Sequence, residues 1–98
     1  MYKIFLVEDD DAIAGAVERH IVSWGWEARR AADYTNVVGE FTAFGPHLVL
    51  LDIGLPFRNG YHWCAEIRKL SQVPIIFLSS ASDNVLLTIR SLQKNWRA

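Results

Sequence analysis

Apolar residues are concentrated in short runs that alternate with longer amphipathic stretches. Three runs are dominated by apolar residues, Tyr2 to Val7, His47 to Ile53 and Val73 to Leu78, and Trp26 to Ala31 is a weaker candidate of the same kind. A short run that is apolar at successive positions is typical of a parallel strand covered on both faces. The pattern therefore predicts four strands.

The stretches between and after these strands have the periodicity of amphipathic helices. Apolar residues recur at steps of three and four over four stretches, which are about 13–24, Thr35 to Phe44, Tyr61 to Leu70, and 86–96. Such spacing places the apolar side chains on one face of a helix. Asp10 or Asp11 is the expected N-cap of the first helix, and Gly25 is its expected end. Leu70 is expected to face the core at the end of the third helix.

Alternating strands and helices predict an α/β fold with a doubly wound parallel sheet, because parallel strands need helical crossover connections. With about four strands and four helices, the 98 residues have room for one domain. Functional crevices in such sheets lie beyond the carboxyl ends of the strands. Three of the predicted strands end there in polar residues, which are Glu8-Asp9-Asp10, Asp52, and Ser79-Ser80. These residues fall where the fold would place a site.

Composition and charge argue against several classes of partner. Hydrophobic residues make up 51% of the chain and the formal net charge is −1, which is typical of a globular domain. Basic residues form no cluster larger than the pair Arg29-Arg30, which argues against a nucleic-acid-binding surface. No apolar run is long enough to cross a membrane, and Met1 leads into a strand without a signal peptide. The lone Cys64 fits a reducing compartment, so a cytoplasmic location is expected.

The carboxylates at the predicted crevice favour metal-assisted phosphoryl chemistry. Several carboxylates in one crevice repel each other unless a cation is present, and Mg²⁺ is bound by carboxylate, water and phosphate oxygens. A carboxylate can attack phosphorus when a metal spreads the charge of the transition state. The hydroxyl of Ser79 or Ser80 can donate to a phosphoryl oxygen. The set therefore suits formation and hydrolysis of an aspartyl phosphate, whereas Asp10 and Asp11 are more simply explained as helix N-caps.

Four motifs carry a resemblance to a known family. They are V-E-D-D at Val7 to Asp10, L-L-D-I-G-L-P at Leu50 to Pro56, N-G at Asn59-Gly60, and V-P-I-I-F-L-S-S at Val73 to Ser80. With these motifs in order, Tyr2 to about Asp83 resembles a bacterial response-regulator receiver domain, most similar to those of transcription factors with a winged-helix output domain. The segment F-R-N-G-Y-H-W-C is similar to receivers serving cell-envelope or peptide-antibiotic sensors. The resemblance implies a flavodoxin-like receiver fold.

The resemblance also implies a role for each residue that matches a motif. Asp52 matches the aspartate that accepts a phosphoryl group from a sensor histidine kinase, which would make the chain a phosphorelay signalling domain. Glu8 and Asp9 match the acidic pair that binds Mg²⁺, directly or through water, together with Asp52. Gly54 matches the position whose backbone carbonyl is a further ligand of the metal.

Two further parts of the site are implied by the same resemblance. Ser79 matches the switch residue whose hydroxyl turns to the phosphoryl group, and Ser80 matches the small residue whose backbone N–H reaches it. Pro56 and Gly60 match residues that shape the loop beside the acceptor. These residues would complete the site around the phosphorylated aspartate.

The end of the sequence departs from the family pattern. Such receivers continue through a fifth strand that ends in Lys-Pro and a fifth helix, and nothing after Asp83 supplies them. Lys94 is followed by Asn95 and is not assigned the role of the family's lysine. The expectation is one receiver domain over 1–98, truncated at its C-terminus and without an output domain. The edge of the strand at Val73 to Leu78 would then favour self-association.

The sequence is compatible with two other functions. The chain could be an inactive or non-phosphorylated interaction fragment, because the family's lysine is missing. It could also be a small phosphatase that uses an aspartyl-phosphate intermediate, but such enzymes usually have a second acid two residues past the nucleophile, where this chain has Gly54. As a receiver, the chain would not be an enzyme beyond its own phosphorylation and dephosphorylation.

Overall fold

The computed structural model describes residues 1–78, in which strands and helices alternate. The elements are β1 (Lys3–Val7), α1 (Asp11–Ser23), β2 (Glu27–Arg30), α2 (Val37–Phe44), β3 (Leu48–Asp52), α3 (Gly60–Arg68) and β4 (Ile75–Leu78). All four predicted strands and the first three predicted helices are present. The helix expected at 86–96, and the expectations about Ser79, Ser80 and Lys94, lie outside the described residues.

The four strands form one parallel sheet in the order β2-β1-β3-β4. The chain leaves β1 for β2 on one side of it and then crosses to β3 on the other side. Val7 lies opposite Leu51 in β3, and Asp52 lies opposite Leu78 in β4, so the strands end at a common edge. Because successive connections run in opposite directions from β1, the crevice between the ends of β1 and β3 is a topological switch point.

The core has two layers, one on each face of the sheet. Alternate residues of a strand point to opposite faces, so β1 and β3 supply both layers. One layer packs Phe5, Val7, Val49 and Leu51 against residues of α2 and α3, among them Phe41, Phe44, Trp63 and Ile67. The other packs Ile4, Leu6, Leu48 and Leu50 against Ala14, Val17 and Ile21 of α1. Every residue of β3 is buried, as the apolar run predicts.

Helix α1 begins and ends where its capping residues allow. Asp10 is the N-cap, and its Oδ1 accepts a hydrogen bond from the backbone N–H of Ile13 at 3.1 Å. The structure therefore selects Asp10 from the two candidates. Trp24 is the C-cap, and Gly25 follows with a positive φ of 81°, a conformation that glycine adopts without steric cost.

The prediction that Leu70 faces the core is wrong, since its side chain is 63% exposed. Helix α3 ends at Arg68, two residues earlier, so helical periodicity no longer applies to Leu70. The Arg68 guanidinium donates to the backbone carbonyls of Ser71 and Val73. These bonds hold the chain as it turns towards β4, and they leave Leu70 on the outside of the turn.

Two further expectations concern the surroundings of the sheet. Among residues 1–78, no helix combines the length and the apolarity needed to cross a bilayer. Within the same residues, β4 pairs with β3 alone. The self-association expected through the other edge of β4 depends on 79–98 and stays a prediction, as does the expected extent of the domain.

Candidate metal centre

The structure brings together three of the acidic residues singled out from the sequence. One carboxylate oxygen each from Glu8, Asp9 and Asp52 lies within 4.8 Å of the other two. Glu8 and Asp9 directly follow β1, and Asp52 is the last residue of the adjacent β3. Parallel pairing of two apolar strands that both end in acids therefore creates the cluster.

The cluster is enclosed on one side and open on the other. Glu8 is 2% exposed and Asp52 is 6% exposed, whereas Asp9 is exposed to solvent. Glu8 Oε2 accepts a hydrogen bond from the backbone N–H of Asp10 at 3.0 Å. Glu8 Oε1 is buried and has no hydrogen-bond partner among the described residues. A buried carboxylate oxygen without a donor is costly, and a cation would satisfy it.

The electrostatic consequence is seen at Glu8. The pKa of Glu8 is raised from 4.5 to about 7: burial is the largest cause, the negative charges of Asp52 and Asp9 also raise it, and the hydrogen bond from the Asp10 N–H opposes them. Without a cation, Glu8 therefore holds a proton for part of the time at neutral pH. A bound cation would displace that proton, because it favours the charged form of every neighbouring carboxylate.

The donor set fits Mg²⁺ or a similar hard divalent cation. Such ions prefer oxygen ligands, and Mg²⁺ uses one or two carboxylates while keeping several waters. Two buried carboxylates and one exposed carboxylate provide this combination. Asp10 and Asp11 have other partners, since Asp10 caps α1 and Asp11 pairs with Arg30 at 2.8 Å. These contacts agree with the structural explanation given for them from the sequence.

The loop after β3 is fitted closely around Asp52. The Gly54 N–H donates to Asp52 Oδ1 at 3.3 Å, and the expected role of the Gly54 carbonyl as a metal ligand stays a prediction. Gly60 packs directly against the strand end. A Cβ added to Gly60 would overlap the carbonyl oxygen of Asp52 and approach Ile53 Cα to 3.0 Å. Only glycine fits there without a shift of the backbone that carries Asp52.

The middle of this loop is a tight turn. The Arg58 N–H donates to the Pro56 carbonyl at 2.8 Å, which forms a three-residue turn with Phe57 at its centre. Phe57 has a positive φ of 70°, unique among the non-glycine residues of 1–78, and its side chain is 71% exposed. Asn59 then caps α3, with Oδ1 accepting from the His62 N–H at 3.0 Å. The turn and the cap return the chain to the sheet at Gly60.

Two residues that the sequence analysis gave no role also contact the acidic segment. Arg30 Nε and the Tyr34 hydroxyl both donate to the backbone carbonyl of Glu8, at 2.9 and 3.0 Å. Burial raises the pKa of Tyr34 above its usual 10, so the hydroxyl is protonated and available as a donor at neutral pH. Arg30 is the last residue of β2, the strand next to β1, and this position could have indicated from the sequence that it lies near Glu8. No sequence pattern indicated that Tyr34 would contact Glu8.

Comparison with known proteins identifies the family. The model of the response regulator receiver domain matches residues 4–96, so the chain belongs to that family. YvcP of Bacillus subtilis, an uncharacterized transcriptional regulatory protein, is 45% identical over 85 residues, which cover 87% of this chain and 36% of YvcP. The response regulator GraR of Staphylococcus aureus is 35% identical over 91 residues, which cover 93% of this chain and 40% of GraR. The chain thus spans well under half the length of these relatives.

Solved structures agree with the fold. The N-terminal domain of the nisin resistance regulator NsrR is 38% identical, with a TM-score of 0.76 over 91% of this chain and 79% of that one. The BeF₃-activated receiver of RstA from Klebsiella pneumoniae is 27% identical, with a TM-score of 0.73 over 90% of this chain and 79% of that one. CheY4 of Vibrio cholerae, at 18% identity and a TM-score of 0.78 over 94% of this chain and 98% of that one, shows the fold alone. The flavodoxin-like receiver fold expected from the sequence is confirmed, and nothing in the comparisons supports a phosphatase.

Proposed function

We propose that this chain is the phosphoryl-accepting receiver of a two-component transcriptional regulator and that Asp52 is the acceptor. The observation that carries the proposal is the position of Asp52. It ends a fully buried central strand, and its carboxylate lies within 4.8 Å of those of Glu8 and Asp9 at the switch point of the sheet. Membership of the receiver family supports this use of the site.

Glu8, Asp9 and Asp52, with the carbonyl of Gly54, would hold the metal, for which we propose Mg²⁺. When bound, Mg²⁺ would neutralise negative charge on the transferring phosphoryl oxygens. An Asp52 carboxylate oxygen then attacks phosphorus. The bond from phosphorus to the donor's leaving group breaks, and that group keeps the electron pair. The product is an aspartyl phosphate, which water later hydrolyses.

Ser79 and Ser80 would contact the phosphoryl group. The Ser79 hydroxyl is proposed to donate to a phosphoryl oxygen, and so is the Ser80 backbone N–H. Both positions directly follow β4, whose last residue, Leu78, pairs with Asp52. That register supports a place for them beside the acceptor.

The proposed donor is a sensor histidine kinase in the cytoplasm. The chain is changed covalently and is not itself a turnover catalyst for another substrate. GraR is named a response regulator and NsrR a regulator of nisin resistance. The name of NsrR, with an identity of 38%, supports a peptide antibiotic as the signal. The name of YvcP, a transcriptional regulatory protein, supports transcription as the regulated process.

Labelling with a small phosphodonor tests the proposal. The 98-residue chain is incubated with acetyl phosphate and either Mg²⁺ or EDTA, and its intact mass is measured. We expect one phosphoryl group to be added with Mg²⁺ only, Asp52→Asn to lose the addition, and Asp10→Asn to retain most of it. BeF₃, the probe used on the RstA receiver, offers a second readout. Equal labelling of wild type and Asp52→Asn would exclude Asp52 as the acceptor.

A further inference from the structure

The backbone carbonyl of Glu8 is held by side chains instead of by a strand. The last backbone bond between β1 and the segment after β2 runs from the Ala31 N–H to the Leu6 carbonyl, at 2.8 Å. The Glu8 carbonyl lies two residues further along and accepts from Arg30 Nε and the Tyr34 hydroxyl. On this side the backbone pairing thus stops before Glu8 and Asp9, and the Arg30 and Tyr34 side chains supply the hydrogen bonds to the next carbonyl, that of Glu8.

Both donors are themselves fixed in place. Arg30 uses a second nitrogen, Nη1, to pair with Asp11 at 2.8 Å in the first turn of α1. Tyr34 belongs to the loop between β2 and α2. Glu40 of α2 anchors that loop, because its carboxylate accepts from the backbone N–H groups of Ala32 at 3.1 Å and Asp33 at 2.7 Å. The Glu8 carbonyl is therefore tied to both neighbouring helices.

We propose that Arg30 and Tyr34 are positioning residues that fix the Glu8–Asp9 peptide in the orientation required for metal binding. This inference rests on the metal site proposed above. Without restraint, the like charges of Glu8, Asp9 and Asp52 would push the two segments apart. The two hydrogen bonds to the Glu8 carbonyl restrict rotation of the Glu8–Asp9 peptide. This peptide joins the two residues whose carboxylates belong to the cluster, so its orientation affects where both carboxylates lie. The cation then meets a site that is already assembled, and less ordering accompanies binding.

The sign of the Arg30 effect separates positioning from simple electrostatics. A positive charge near a cation site weakens cation binding, so loss of the guanidinium should strengthen Mg²⁺ binding if charge alone matters. Loss of the hydrogen bond to the Glu8 carbonyl should weaken binding. Tyr34→Phe removes a neutral donor and keeps the ring, so it tests the hydrogen bond without a change of charge.

The test is a calorimetric titration of the 98-residue chain with Mg²⁺ alone, at a temperature where all variants remain folded. We expect Tyr34→Phe and Arg30→Gln each to raise the dissociation constant about three- to tenfold, and the double variant to raise it further. Tyr61→Phe removes a hydroxyl from an exposed tyrosine, and Arg29→Gln removes the same charge one residue away. These two controls should bind Mg²⁺ like the wild type or, for Arg29→Gln, slightly more tightly.

The outcomes distinguish this inference from the proposed function. If the wild type binds Mg²⁺ and both Tyr34→Phe and Arg30→Gln bind it equally well or better, the positioning role is wrong and the metal site stands. If the wild type does not bind Mg²⁺, both proposals fail. Should Arg30→Gln not fold, Tyr34→Phe decides alone. Amide NMR shifts of Asp9 and Asp10 provide a second readout, and they should move in the metal-free Tyr34→Phe variant and stay unchanged in Tyr61→Phe.

Discussion

Gly60→Ala is the substitution that should disturb the acceptor most while changing the fewest atoms. The added Cβ would overlap the carbonyl oxygen of Asp52, and the carbonyl carbon of Asp52 and Ile53 Cα would each lie 3.0 Å away. All three are backbone atoms of the last residue of β3 and of the residue after it, so no side-chain rotation can relieve the overlap. Either the start of α3 or the end of β3 must shift, and the Gly60 N–H to Ile53 carbonyl bond of 2.9 Å shifts with it.

The magnitude follows from the cost of overpacking. Extra methyl groups in a packed site cost about 1–3 kcal/mol. Alanine favours a helix interior over glycine by about 1 kcal/mol. Gly60 is the first residue of α3, so only part of this gain offsets the cost of overpacking. We expect a net loss of about 0.5–2.5 kcal/mol, and each kcal/mol lowers the melting temperature by about 4–8 °C in a domain of this size. The folded variant should also label more slowly, because the backbone that carries Asp52 has moved.

Gly54→Ala is the matched control in the same loop. A Cβ at Gly54 meets no atom within 4 Å, and Gly54 has no positive φ that a side chain would strain. Alanine there should change the free energy of unfolding by less than about 1 kcal/mol and should tend to stabilise, because it restricts the unfolded chain. Urea unfolding followed by tryptophan fluorescence measures both variants. Equal stability of Gly60→Ala and Gly54→Ala would refute the close packing of Gly60 on Asp52.

Three further substitutions test the charge and strain described above. Glu8 has a pKa of about 7 when folded and 4.5 as a free carboxyl group, so its contribution to stability is full below pH 4.5 and is lost as the pH rises to 7. Thermal melts in EDTA should therefore show Glu8→Gln losing less stability than the wild type over this range, by about 1–2 kcal/mol once solvent screening is allowed for. Asp9→Ala should weaken Mg²⁺ binding at least about tenfold in a titration, yet leave the metal-free melting temperature equal or higher, since a repulsive charge is gone. Phe57→Gly should stabilise by about 0.5–1 kcal/mol in urea unfolding, because it relieves a positive φ at an exposed residue.

Each of these expectations has a result that would contradict it. Parallel pH profiles for wild type and Glu8→Gln would mean that burial does not perturb the carboxyl group. An unchanged Mg²⁺ affinity in Asp9→Ala would place the cation elsewhere. Arg58→Gly, at a neighbouring residue without a positive φ, should destabilise; if it stabilised as much as Phe57→Gly, backbone strain would not be the cause.

The fold and the acidic cluster were accessible from the sequence because both depend on local patterns. Runs such as Leu48 to Leu51 are typical of strands covered on both faces, and a parallel arrangement then brings all strand ends to one edge. Asp52 and Glu8 directly follow such runs, so their convergence required no knowledge of side-chain detail. The hydrophobic pattern could not decide whether Asp10 or Asp11 is the N-cap of α1, and the structure shows that it is Asp10.

What the sequence could not reveal depends on contacts between distant residues. Arg30 and Tyr34 lie 22 and 26 residues from the carbonyl that they contact, and a backbone carbonyl leaves no mark in the sequence. Leu70 has the helical spacing of a core residue, but the bonds from Arg68 to the following turn place it outside. The positive φ of Phe57 could not be predicted either, because phenylalanine rarely adopts such a backbone angle. The surrounding loop imposes it.

The most direct test of the account is to locate the phosphoryl group on the chain. Protein labelled with acetyl phosphate and Mg²⁺ is reduced with borohydride, which converts an aspartyl phosphate to homoserine, and its peptides are then sequenced by mass spectrometry. We expect homoserine at position 52, dependent on Mg²⁺ and absent from peptides that contain Glu8 and Asp9. Homoserine at Asp9 or Asp10 with Asp52 unmodified, or no homoserine under conditions where the protein binds Mg²⁺, would contradict it.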